Sequence, residues 1–168
     1  MKKIFTIIAA IMVIGTASAF AVEYPSQNVN FGFELPMLLD LSWASNGGTI
    51  DLTGDQAITT VEFLSGMREP IPGGVLSATS NTIYDITVMA SALEFIGGTN
   101  KKPTSDLLVR MNFGPYVALN GTTEVEVLDA QAPEVDAWKE VEYMLLFSPD
   151  DTPGIYSTVL TYTIKPHI

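Results

Sequence analysis

The chain contains no cysteine and a single histidine, His167, one residue from its end. Without thiols there is no disulfide framework, no thiolate nucleophile, no Cys-ligated zinc or iron–sulfur cluster and no lipoprotein anchor. One histidine leaves no multi-His metal site. A Ser–His–acid triad would have to rest on a side chain in a tail, where chains fray and histidines are solvated. Basic residues are scarce as well: 8 Lys and Arg face 19 Asp and Glu, a formal charge of −11 over 168 residues. A nucleic-acid interface begins with cations that neutralise phosphates, so nucleic acid is not an expected partner. Glycines do not enter a helix with Lys or Ser at phosphate-binding spacing, and Gly73-Gly74 and Gly97-Gly98 read as turns.

What is present begins with an address. Met1-Lys2-Lys3 is a short positive region, Ile4 to Ile14 is an almost unbroken apolar run, and Gly15 to Ala19 ends in small residues with Ala17 and Ala19 at the positions a signal peptidase inspects. A membrane-spanning helix needs about twenty apolar residues, so the run is too short to be a good span. Residues 1–19 are therefore expected to be a signal peptide, with cleavage after Ala21 as a second fit. The expected location is secreted, in the periplasm or at the cell surface. Losing Lys2 and Lys3 and no acid moves the formal charge from −11 to −13. No second apolar span follows, so no transmembrane span is expected in the mature chain. A domain of this size buries about 68–70% of its unfolded surface, enough for a core without staples.

The remainder alternates with a period of two, the signature of half-buried strands. Val29, Phe31, Phe33 and Leu35 share one face until Pro36 interrupts, and Met37, Leu39, Leu41 and Trp43 resume the pattern. Strands are predicted over Thr82–Ala90, Asp106–Phe113, Tyr116–Leu119, Thr123–Leu128, Trp138–Phe147 and Ile155–Ile164, with shorter candidates at Thr49–Leu52 and Ala57–Leu64. Leu93–Ile96 is a further extension past a bulge. Pro70-Ile71-Pro72-Gly73-Gly74 is expected to be a loop, and Gly97–Pro103 a polar loop holding Lys101 and Lys102. No stretch carries a capped 3.6-residue stripe; Val135–Met144 is the best helical competitor, but period two fits it better. Nine or ten short strands separated by turn signals predict an all-β, immunoglobulin-like β-sandwich over residues 36–168, with a β-barrel as the alternative. Residues 20–35 are either an N-terminal extension or the domain's own first strand.

Chemistry-bearing groupings are few. Glu124, Glu126, Asp129, Glu134, Asp136, Glu140 and Glu142 crowd a short stretch, and Asp150-Asp151 stands in a turn. Calcium takes six to eight oxygen ligands, but the spacing fits no EF-hand, and the alternation suits a solvated acidic face that discourages edge-to-edge aggregation. Calcium is the one cofactor such a stretch could suit, and none is expected. Carboxylate pairs of the glycosidase kind exist on paper without a recognisable setting, so an enzyme is not expected. Asn120-Gly121-Thr122 matches a glycosylation acceptor but reads as a turn. Trp43 falls with the inward set, and Trp138 has no clear side.

Three stretches carry a family likeness: Leu35-Pro36-Met37-Leu38-Leu39-Asp40-Leu41-Ser42, the run from Ala78-Thr79-Ser80-Asn81 into Tyr84-Asp85-Ile86-Thr87-Val88, and Pro153-Gly154-Ile155-Tyr156 leading into a Thr-rich strand. Together they resemble secreted bacterial pilin-like domains of the spore coat protein U type. Some relatives carry a disulfide, which this chain cannot. The resemblance implies an immunoglobulin-like fold, surface or fibre-forming roles and no catalytic residues. It also implies strand exchange, in which one subunit's N-terminal extension completes a neighbour by β-augmentation. Val29, Phe31, Phe33 and Leu35 are then the donor-strand candidates. The expected function is a non-catalytic structural subunit of an extracellular coat, pilus or fibre. Its expected partners are further copies or related surface subunits, with a periplasmic chaperone in attendance. The alternative is a secreted module that binds carbohydrate or another surface polymer.

Overall fold

Alternating apolar residues in eight segments build two antiparallel sheets, as a computed structural model describing residues 34–45, 49–97 and 101–168 shows. The strands are β1 (Leu39–Ser45), β2 (Met67–Ser80), β3 (Tyr84–Ala90), β4 (Leu107–Met111), β5 (Val117–Ala118), β6 (Val125–Gln131), β7 (Glu134–Leu146) and β8 (Leu160–Pro166). One sheet runs β1-β2-β7-β4-β5 and the other β6-β3-β8. Neither sheet closes on itself, so the unit Pro36–Ile168 is an all-β, immunoglobulin-like sandwich and not a barrel.

The core lies where the inward rows meet: Leu76 and Ala78 of β2, Ile86 and Val88 of β3, Val109 and Met111 of β4, and Val141 and Tyr143 of β7. Strand β3 is central in its sheet and carries buried residues on both faces, Asp85 and Thr87 included. Alternation predicted its inward row correctly; the burial of its other row depends on neighbours far away in sequence.

Several expectations give way. Residues Ala57–Leu64 were expected to hold a strand and instead hold a helix, α1 (Thr60–Ser65). A capping box starts it: Glu62 N–H donates to Thr59 Oγ1 at 3.2 Å, while Thr59 N–H donates to Glu62 Oε2 at 2.7 Å. These bonds satisfy donors that a helix start leaves free. Gly66, at φ +82°, ends it in the left-handed conformation that costs glycine least.

The second is the Pro70–Gly74 loop, which is in fact part of β2. Proline cannot donate to a ladder and so belongs on edges or at bulges. Both conditions hold. Strand β1 pairs only with Val75–Ser80, leaving residues 67–74 paired on one side, and the register with β7 shifts across Arg68/Ile71 and Pro72/Gly74. Gly73 faces inward there, where a Cβ would collide with the Tyr143 ring and sit 2.9 Å from Val141. Thr49–Leu52 forms no strand, Leu93–Ile96 contributes two isolated bridges, and the last strand begins at Leu160, five residues later than expected.

Candidate functional site

Among the described residues β8 is bonded only to β3, so its outer edge presents unpaired backbone groups. Its inward side chains Leu160, Tyr162 and Ile164 pack on the core yet are only partly buried, as are Leu39 and Leu41 of β1 opposite. Trp43 closes on Tyr162 edge to face, with ring centroids 5.7 Å apart. Tyr162 also shares a 2.7 Å hydrogen bond with the Tyr143 hydroxyl, and burial raises both phenols above their ordinary range, Tyr162 the further. Trp43 is thus a rim residue with one face exposed, not the core residue that alternation predicted. An apolar seam between β1 and β8 is therefore left unfinished at the sandwich's side.

The start of β1 is fixed by Asn81. Its Oδ1 accepts from Leu38 N–H at 2.8 Å, its Nδ2 donates to the Pro36 carbonyl at 2.9 Å, and its own N–H donates to the Leu38 carbonyl at 3.3 Å. Asn81 thus anchors the chain at Pro36 and Leu38, just ahead of β1. Of the four donor-strand candidates, Val29, Phe31 and Phe33 lie outside the described residues. Leu35 is 74% exposed.

The acidic stretch is divided between sheets, and its members find separate partners. Glu142 pairs with Arg110 at 2.7 Å, Glu124 with Lys165 at 3.3 Å and Glu134 with the buried Lys139 at 2.5 Å. Asp136 N–H donates to Thr79 Oγ1. Burial raises the Glu134 carboxyl, but bonds from Lys139 and the Tyr84 hydroxyl outweigh it and bring it below its usual value.

His167 is exposed, as expected of a residue near the end, yet it is held: its Nδ1 lies 2.9 Å from Asp85 and 3.3 Å from Asp129, and its N–H donates to the Ile83 carbonyl. These three side chains are the only trio of metal-ligand type gathered among the described residues. Asp85 also accepts from Ala130 N–H at 2.9 Å, where β6 bulges and Ala130 takes φ +47°. That backbone bond, helped by His167, holds the Asp85 carboxyl below its usual range.

Lys102 stands in a loop, as expected, but is buried there: it is 4% exposed, with Nζ between Asp151 at 2.5 Å and Asp106 at 2.9 Å. Lys101 remains outside, paired with Glu94. Trp138 projects from the outer face of β7, 75% exposed, and Asn120-Gly121 is a turn. No helix among the described residues is long and apolar enough to cross a membrane. Compared with known proteins, the chain matches no family model, no curated protein and no solved structure.

Proposed function

We propose that the protein is a non-catalytic structural subunit of an extracellular coat, pilus or fibre, and that copies join when residues 20–35 of one add a strand to the next. The observation that carries this reading is the unpaired edge of β8 with its inward row half-covered. An added strand gains backbone hydrogen bonds along the edge and fills pockets with alternate side chains. Val29, Phe31, Phe33 and Leu35 alternate over seven residues, and β8 is 7 residues long, so donor and acceptor match in reach. Pro36 then stops the ladder, and the Asn81 clamp fixes where the donor leaves its own domain.

Export through a signal peptide at residues 1–19 and an escort by a periplasmic chaperone belong to the same proposal. A chaperone would cover the β8 edge until a donor replaced it. The purified mature protein should run on SDS gels as a ladder that collapses to monomer on boiling. Deleting residues 20–35 should leave a folded monomer and no ladder. A wild type that stays monomeric at high concentration by light scattering, unboiled as well as boiled, would contradict the proposal.

The alternative, a carbohydrate or surface-polymer module, draws on the exposed Trp138. An indole face is a platform for stacking. Quenching or a blue shift of Trp fluorescence across a glycan panel, lost in Trp138→Ala, would move the assignment there.

A further inference from the structure

We infer that Lys102 and Asp151 form an intramolecular amide cross-link, with Asp106 as the proton carrier. The inference is independent of the assembly reading. It rests on how three side chains from separated segments meet. Lys102 lies just before the short 3-10 turn Thr104–Asp106, and Asp151 lies in the turn ahead of β8. Lys102 Nζ is 2.5 Å from Asp151 Oδ2 and 2.9 Å from Asp106 Oδ2, and the lysine side chain is almost wholly buried. The Phe147 ring lies over the ammonium, 5.7 Å from its centroid. Ser148 N–H donates to the same Asp151 Oδ2 at 2.9 Å.

Each part has a chemical role. Two carboxylates lie within hydrogen-bond distance of one buried ammonium. Passing a lysine proton to Asp151 leaves a neutral amine beside a neutral acid. Held contact of that kind replaces an encounter that is prohibitively rare in water. The Nζ lone pair attacks Asp151 Cγ; Oδ2, which took the lysine proton across the 2.5 Å contact, becomes the departing hydroxyl, already held by Ser148 N–H, and the charge grows on Oδ1. Asp106 takes a proton from Nζ and returns it to the departing hydroxyl as general base and then acid. One C–N bond forms, one C–O bond breaks and one water leaves. No oxidant or other reactant is required.

The other buried lysine lacks this arrangement. Lys139 meets one carboxylate, Glu134, which lies on its own strand and is also bonded by the Tyr84 hydroxyl. A bond from Lys102 to Asp151 would instead tie the segment ahead of β4 to the turn that follows β7, a covalent staple in a chain that has no cysteine.

Intact mass under denaturing conditions decides it. The folded wild type should weigh one water less than its sequence, and trypsin should release residues 102–110 and 140–168 as one branched species. Lys102→Arg keeps the charge without a reactive amine and should show the full mass, as should Asp151→Ala. Asp106→Asn should show mostly the full mass soon after purification. A wild type that melts cooperatively and carries its full mass would overturn the inference, leaving an ion triad. Loss of water mapped to other peptides would overturn it too. The wild-type result stands even where a variant does not fold.

Discussion

Asp85 shows how a single residue couples the fold to pH. It fills the bulge of β6 through Ala130 N–H and pairs with His167, and its carboxyl is held below its ordinary value. A carboxyl with a lower pKa folded than unfolded contributes stability above the unfolded value, about 3.9, and loses it as pH falls through the folded one. Glu134 acts in the same direction. Urea midpoints should therefore drop as pH falls below about 4. Asp85→Asn should be less stable than wild type at neutral pH, with the gap narrowing in acid; a gap constant across that range would assign the loss to packing. Gly73 is a steric case. Gly73→Ala should cost about 1–3 kcal/mol by overpacking against Tyr143 and Val141, read from the shift in midpoint at unchanged slope. Neither residue announces itself in the sequence. The partners of Asp85 are Ala130 and His167, and those of Lys102 are Asp106 and Asp151, so only the folded chain brings most of them together. A lysine in a Gly/Thr/Asn/Pro stretch reads as solvated until a turn some fifty residues later closes over it.

Elements were more legible than residues, because alternation is local while bonding partners are not. The strands at Tyr84–Ala90 and Leu107–Met111, and β7 from Trp138 onward, follow directly from their apolar rows; the first four residues of β7 were not read as strand. The helix α1 was also readable: Thr59-x-x-Glu62 is a capping-box pattern and Gly66 a stop signal, but six residues are too few to display a stripe. The box should dominate its stability, so Thr59→Ala should lower global stability by about 1 kcal/mol or release only the helix to faster hydrogen exchange. Unchanged exchange at Phe63 and Gly66, whose amides donate within the helix, would show that packing of Phe63 on Phe147 holds it instead. The Pro-rich half of β2 was not readable, since whether a proline lies on an unpaired side depends on where β1 stops. The same holds for β8. Its residues predict a strand, but the missing neighbour that makes it a candidate acceptor is a property of the sheet.

At the scale of the whole molecule, the candidate assembly edge must work against charge. Every copy carries the same excess of acid, −11 for the full chain and −13 without residues 1–19, so approaching subunits repel. The proposed donor strand has little part in that repulsion. Over residues 20–35 its only carboxylates are Glu23 and Glu34, and under the proposal its gain comes from Val29, Phe31, Phe33 and Leu35 entering an apolar seam. Screening should therefore lower the barrier to encounter while leaving the joined state almost untouched. The Debye length falls from about 30 Å at 0.01 M salt to about 8 Å at 0.15 M, so assembly followed by light scattering should accelerate over that range. The SDS resistance of the multimers formed should not change. Phe31→Ser with Phe33→Ser should invert the pattern, with encounter still salt-sensitive but multimers lost in SDS before heating. If salt slowed assembly instead, charge pairs would be holding the copies together, and the acidic rows of β6 and β7, not the β8 edge, would be the surface to mutate next.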